Sequence, residues 1–171
     1  MLSSAMISSL AQDDFPKMPK TFNKILCPVS FDRNSTAALK FAHELADPDD
    51  STLYLLHIVS EPRIEPIMLE PNPVLSEGIA ERELENLVQQ HLASSTSHRI
   101  IIRRGDPALV IVTVAEEFNV DLIVMPTHGH MGIERMILGS VAERVVREAK
   151  RPVLTIRPSS RNDGPRIPPT P

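Results

Sequence analysis

Short apolar runs alternate with longer stretches of helical period along the middle of the chain. The apolar runs have the length of strands and lie at residues 25–29, 53–59, 100–102, 122–125 and 153–156. Their Val, Ile and Leu residues follow one another without polar alternation, which is typical of strands buried on both faces. Such strands, separated by helices, predict an α/β fold in which a parallel sheet is covered by helices on both sides.

Four helices are predicted between these strands, because apolar residues recur there every three or four positions. The first follows Ser30, and the second lies beyond the proline-rich segment 60–73, which we expect to be an extended connection. The third begins at the Gly-Asp-Pro turn of residues 105–107 and runs to about residue 119, and the fourth covers residues 140–150. On the first helix we expect the inward residues to be Ala38, Phe41, Ala42 and Leu45. On the second helix they are Ala80, Leu84, Leu87, Val88 and Leu92, and on the fourth they are Ala142, Val145, Val146 and Ala149.

The length of 171 residues predicts a single domain flanked by tails. The 16 prolines, about twice the usual share, are concentrated at both ends and in the segment before the second helix. Few large apolar residues accompany them after residue 158, so that stretch cannot bury enough surface to order itself. We therefore expect a disordered tail at 1–20, a folded domain at 21–158 and a disordered tail at 159–171.

Charge and cysteine content narrow the class of protein. The net charge of −4 does not favour nucleic acid as the main partner. The apolar runs are too short to span a bilayer, so we expect no membrane partner. The single cysteine, Cys27, excludes an intrachain disulfide and a four-thiolate metal centre. The first residues lack a basic segment before Asp13, so we expect a cytoplasmic location.

One loop, residues 126–140, concentrates the glycines. It follows the fourth strand, leads into the fourth helix and contains Gly129, Gly132 and Gly139, three of the six glycines. Glycine lets a ligand approach the backbone, and a helix N-terminus attracts phosphate. The alternative is that the glycines only make tight turns and that Ser140 is only an N-cap. Neither a P-loop nor a dinucleotide fingerprint is present.

These motifs resemble the universal stress protein family. The segment THGHMGIERMILGSVAERVVREAKRPVLTIRP is similar to the C-terminal signature of that family. The segments NKILCPVSFD, LYLLHIV and RRGDPALVIVTVAEEFNVDLIVM resemble its first strand, its second strand, and its third helix with the fourth strand. The resemblance covers residues 23–158. It implies an open five-stranded sheet ordered 3-2-1-4-5, of the adenine nucleotide alpha hydrolase-like type, with a cleft between the first and fourth strands.

The resemblance also implies a bound adenine nucleotide, ATP or its products ADP and AMP, with Mg²⁺ as a plausible companion of the phosphates. It further implies a homodimer through the last strand, Pro152 to Arg157, and a role as a stress-response or regulatory module. The family loop reads Gly-x2-Gly-x9-Gly-[Ser/Thr]. The implied nucleotide-binding residues are Pro28, Ser30 and Ile58 at the base, Met125 and Pro126 at the ribose, and His128, Gly129, His130, Gly139, Ser140 and Val141 around the phosphate loop.

Two departures from the family pattern leave alternatives open. Pro126 replaces the first glycine of the loop, and Ser30 stands where nucleotide-binding relatives usually carry aspartate. The runner-up is therefore a nucleotide-free homodimeric interaction protein of the same fold. A third alternative is an ATP hydrolase that uses Asp32 or Glu134, and no catalytic residue or metal site is assigned. His57, in an apolar strand, is expected to be a hydrogen-bonded core histidine.

Overall fold

The structure is a computed structural model that describes residues 22–47, 49–59, 73–127 and 138–157. Strands and helices alternate along these residues in the predicted order. Their bounds are β1 Lys24–Pro28, α1 Arg33–Leu45, β2 Thr52–Val59, α2 Pro73–His91, β3 Ser97–Arg104, α3 Pro107–Glu117, β4 Leu122–Pro126, α4 Ser140–Glu148 and β5 Val153–Ile156.

The five strands form one sheet in the order β3-β2-β1-β4-β5, and all four strand pairs are parallel. This confirms the α/β fold and the strand order that the family resemblance implies. The chain winds outward from β1 to β2 and β3, and it then returns to the other side of β1 for β4 and β5. The winding direction therefore reverses between β1 and β4, which is where α/β sheets of this kind bind ligands.

The sheet separates two hydrophobic layers. On one face, Leu26, Leu56 and Ile123 of the strands pack against α3 and α4. On the other face, the neighbouring strand residues Leu55 and Val124 pack against α1 and α2. Two-sided burial explains why the strands are apolar throughout, because successive side chains point to opposite faces.

The turn before α3 follows its sequence prediction. Gly105 has a φ of +128°, which side chains rarely adopt, so glycine is needed there. Asp106 is the N-cap, and its Oδ1 accepts a hydrogen bond of 3.0 Å from the backbone N–H of Leu109. Pro107 is the first helical residue, where its missing N–H is not needed.

The predictions for two elements differ from the structure by more than a shift of one or two residues at a helix or strand end. The helix α2 already begins at Pro73, inside the segment expected to be extended, and proline is compatible with a first helical turn. The strand β3 covers Ser97–Arg104 rather than 100–102, because its backbone pairs with β2 over eight residue positions. As an edge strand, β3 tolerates the charged residues at both of its ends.

Two residues expected to face inward are exposed. Phe41 on α1 is 37% exposed and Val146 on α4 is 47% exposed, so these two predictions were wrong. The inward stripe of α1 includes Leu39 in place of Phe41, and on α4 the buried residues are Ala142 and Val145.

The two expected tails and most of the proline-rich connection lie outside the described residues. Within the described part of the chain, no helix combines the length and the apolar character that crossing a lipid bilayer requires.

Candidate functional site

The carboxyl ends of the central strands lie side by side at one edge of the sheet. Pro28 ends β1 beside Leu56 of β2, and Pro126 ends β4 beside Ile156 of β5. Since β1 also pairs with β4, the structure brings four predicted site residues to this edge. They are Pro28, Ile58, Met125 and Pro126.

The first turn of α4 is attached to the same edge. The backbone N–H of Gly139 donates a hydrogen bond of 2.8 Å to the carbonyl of Thr127, the residue after β4. The carbonyl of Gly139 in turn accepts from the N–H of Glu143 at 2.9 Å and begins the helix. Gly139, Ser140 and Val141 therefore join the strand ends at the point where the winding direction reverses.

Gly139, not Ser140, is the N-cap of α4. In the alternative interpretation of the loop Ser140 is the N-cap, and that part of the alternative is wrong, because Ser140 is already the first helical residue and is exposed. Gly139 has φ −74° and ψ 159°, an extended conformation that any residue adopts. The local backbone therefore does not require glycine here, whereas a ligand lying against the chain would.

Aspartate side chains cap the N-termini of α1 and α3, but not that of α4. Asp32 accepts from the N–H of Ser35 at 2.7 Å, and Asp106 caps α3. The Leu109 N–H and the Arg144 guanidinium hold the pKa of Asp106 below its ordinary value. At α4 the cap residue is glycine and supplies no side-chain acceptor. Since a helix leaves its first N–H groups without partners inside the helix, α4 offers donors and a positive dipole end.

Ser30 and Asp32 interact with each other at the end of β1. The Ser30 hydroxyl donates a hydrogen bond of 3.0 Å to Oδ2 of Asp32, and Ser30 is exposed. Asp32 and Ser35 also form a reciprocal capping box at the start of α1. The carboxylate considered for ATP hydrolysis is therefore engaged as a helix cap.

Sequence reasoning missed a contact between Phe31 and His57. Their ring centroids are 4.4 Å apart, and Nδ1 of His57 lies 2.8 Å from the carbonyl oxygen of Val29. A hydrogen-bonded histidine was expected at this position, although His57 is half-buried rather than fully inside the core. Phe31 has a φ of +57°, a conformation that costs a bulky residue about 1–3 kcal/mol. Nothing in the sequence around Phe31 indicates this conformation.

The central part of the loop lies outside the described residues. His128, Gly129 and His130 belong to it, as does Glu134, and their roles stay predictions. Among the residues that the structure does describe, no group of three or more His, Cys, Asp and Glu side chains could hold a metal ion.

Comparison with known proteins assigns the family. The family model described as "Universal stress protein family" matches residues 21–157, which is most of the chain and includes all nine helices and strands of the described residues. The chain belongs to the universal stress protein family.

Two curated universal stress proteins illustrate the relationship. The protein MJ0531 of Methanocaldococcus jannaschii is 34% identical over 140 residues, covering 80% of this chain and 82% of the relative. YxiE of Bacillus subtilis is 31% identical over 149 residues, covering 80% of this chain and 99% of the relative.

Solved structures share the fold. The structure of MJ0577, a second Methanocaldococcus jannaschii universal stress protein, matches with a TM-score of 0.71 and 29% identity, covering 81% of this chain and 98% of that chain. A universal stress protein solved in complex with cAMP matches with a TM-score of 0.59 and 20% identity, covering 80% and 98%. The second likeness concerns the fold alone.

Proposed function

We propose that this universal stress protein binds an adenine nucleotide, ATP or its products ADP and AMP, across the carboxyl ends of β1 and β4. The observation that carries the proposal is the 2.8 Å hydrogen bond from Gly139 to Thr127. It fixes the N-terminus of α4, whose N-cap glycine has no capping side chain, at the place where the winding of the sheet reverses. A helix N-terminus in this position binds phosphate through backbone N–H groups and the helix dipole.

In this proposal, Gly139, Ser140 and Val141 contact the phosphates, together with Gly129, His128 and His130 of the loop. Met125 and Pro126 lie toward the ribose, and Pro28, Ser30 and Ile58 toward the base. Mg²⁺ would arrive with the nucleotide, because Mg²⁺ commonly binds through phosphate oxygens and few protein ligands. A protein of this fold has been solved with cAMP, and the present proposal rests on the residues of this chain. The proposed role is binding and regulation, with no catalytic step.

The proposal includes a homodimer through β5. This strand is the last in the sheet and pairs only with β4 among the described strands, and its residues are half-buried. A sheet edge of this kind presents backbone groups that can pair with a second copy. The runner-up function, a nucleotide-free dimeric interaction protein, is favoured by the Ser30 hydroxyl, which already donates to Asp32.

Calorimetric titration with ATP, ADP, AMP and cAMP, with and without Mg²⁺, tests the proposal. We expect the wild type to bind at least one of these nucleotides and Gly139→Val to bind none. We expect Ser140→Ala to lose about 1–3 kcal/mol of binding free energy, the value of a hydrogen bond to a charged group.

Gly78→Ala is the matched control, because a Cβ at Gly78 on α2 meets no atom within 4 Å. Circular dichroism should show that both glycine variants stay folded, since the φ and ψ angles of Gly139 are allowed for residues with a side chain. A folded wild type that binds no nucleotide, or a Gly139→Val protein that binds as well as the wild type, would overturn the proposal. The first result would favour the nucleotide-free alternative.

A further inference from the structure

The segment between β1 and α1 passes the proposed site in an unusual conformation. Phe31 is in the left-handed region, and its side chain is 37% exposed. Bulky residues rarely occur there unless surrounding contacts impose the conformation, and such residues cluster at functional sites.

His57 makes two contacts, one with the residue before Ser30 and one with the residue after it. Its Nδ1 lies 2.8 Å from the Val29 carbonyl, and because a carbonyl only accepts, Nδ1 carries the hydrogen. Its ring packs on Phe31 at 4.4 Å with an interplanar angle of 35°. We call this arrangement, the side chains of Phe31 and His57 with the Val29 carbonyl, the Phe–His clasp.

Backbone and helix-capping hydrogen bonds also hold the segment between β1 and α1. The N–H of Val29 donates to the carbonyl of Leu56 at 2.8 Å, one residue before His57 on β2. After Phe31, Asp32 accepts from the Ser30 hydroxyl and caps α1. Ser30 is thus held from the β2 side by the clasp and from the α1 side by Asp32.

The clasp lies opposite the proposed phosphate end of the site. Phosphates at the N-terminus of α4 would lie beside the end of β4, and a ligand that crosses the reversal point continues toward the end of β1. The end of β1 leads directly into Ser30. A base is recognised by donors and acceptors with fixed directions, so the backbone near Ser30 must hold one shape.

We infer that Phe31 and His57 are positioning residues for the nucleoside end of the ligand. They keep the Val29–Ser30 backbone in the shape that meets the base, and they do not contact the phosphates. This inference rests on the proposed nucleotide site and adds residues that determine affinity for the base rather than for the triphosphate.

The experiment compares ATP with inorganic tripolyphosphate, which lacks the nucleoside, by calorimetry on the full chain. The variants are His57→Leu, which removes the hydrogen bond, and His57→Asn, whose amide N–H can replace Nδ1. Phe31→Gly removes the ring while tolerating the positive φ. We expect His57→Leu to weaken ATP binding about tenfold, the factor that corresponds to one net hydrogen bond, and Phe31→Gly to weaken it by a similar factor through loss of the ring contact, with tripolyphosphate affinity unchanged in both. We expect His57→Asn to restore most of the affinity for ATP.

Two matched controls exist. Phe41→Ala removes a phenylalanine with the same 37% exposure on α1. His98→Leu removes a histidine whose Nδ1 lies 3.1 Å from the Thr96 carbonyl at the start of β3. Both should bind ATP like the wild type. Amide exchange of Val29 in the free protein should accelerate in His57→Leu and recover in His57→Asn.

The outcomes separate the two ideas. A wild type that binds neither ATP nor tripolyphosphate overturns the nucleotide site and, with it, the positioning role. A wild type that binds both, with His57→Leu and Phe31→Gly unchanged toward ATP, overturns the clasp alone. An equal loss for ATP and tripolyphosphate would show a general structural effect and would also overturn the positioning role.

Discussion

Arg144 on α4 places one guanidinium nitrogen 2.8 and 3.0 Å from the two carboxylate oxygens of Asp106, the N-cap of α3. Arg144 also lies 3.6 Å from Glu148, one turn further along α4. The pair joins the helix that carries the proposed phosphate site to the helix beside it. Both side chains are partly exposed, so the pair fixes geometry more than it adds stability.

Acidification should weaken the fold through Asp106. Its pKa is lowered from 3.8 by the Leu109 N–H and by Arg144, so its stabilising effect is present above that pH and is lost as pH falls through the lowered value. Asp106→Asn keeps an oxygen for the Leu109 N–H and removes the titration. We expect urea unfolding of the wild type to depend more steeply on pH below about 4 than that of the variant. The exposed Asp50→Asn serves as the control, and parallel curves for wild type and Asp106→Asn would contradict this prediction.

Cys27 should be inert in the folded protein. It is completely buried on β1, and burial raises the pKa of its thiol from 9.0 to about 12. Thiol reagents attack the thiolate, so we expect no labelling of the native protein at about pH 8 and full labelling in urea. Labelling kinetics should follow the loss of circular dichroism as urea is increased. Rapid labelling of folded protein would contradict the prediction, and Cys27→Ala gives the background rate.

A proline on the free side of β5 should dissociate the proposed dimer. The carbonyls of Pro152 and Ile156 accept hydrogen bonds from the N–H groups of Ile123 and Thr127, so even-numbered residues of β5 direct their backbone groups toward β4. Because this direction alternates along a strand, Thr155 directs its N–H and carbonyl away from β4. Thr155→Pro removes that outward N–H and leaves pairing with β4 intact. We expect the wild type to sediment at twice its 19.0 kDa mass and Thr155→Pro as a monomer. Thr155→Val keeps the N–H and should stay dimeric. A monomeric wild type at micromolar concentration would refute the dimer.

The segment 21–158 should fold without the rest of the chain. Its first described residues are tied to the sheet, because the Phe22 carbonyl accepts from Ser51 Oγ at 2.6 Å and the Asn23 carbonyl from Thr52 N at 2.7 Å. We expect this segment to melt within about 4 °C of the full chain, which corresponds to less than about 1 kcal/mol. A version that starts at residue 25 loses both ties and should melt lower. A large loss of stability in 21–158 would show that the tails contribute to the fold.

Local features of the fold could be predicted from the sequence, and features decided by distant contacts could not. The turn at 105–107 is predictable because glycine, aspartate and proline each have a role set by the adjacent backbone. The extent of β3 is not predictable in this way, because backbone pairing with β2 extends the strand into charged residues. The exposure of Phe41 likewise depends on how α1 lies on the sheet.

The same distinction applies to the candidate site. Gly139 and Ser140 both favour an N-cap position, and the hydrogen bond from the Glu143 N–H to the Gly139 carbonyl identifies Gly139 as the cap. Phe31 takes its conformation beside His57 on another strand, which no local pattern reveals. The histidine itself stands out in the sequence as a polar residue in an apolar strand, and only the structure supplies its partner.

The two hydrophobic layers have a thermodynamic consequence for mutational studies. Leu39 on α1 and Ile111 on α3 are both fully buried, yet they belong to different layers with the sheet between them. Cavities made at these two positions share no neighbouring side chains, so their free-energy costs add in a double-mutant cycle. If the free-energy costs of the two substitutions were not additive, the difference would report how far the sheet deforms when one layer is changed. A double-mutant cycle on this pair therefore measures the stiffness of the sheet.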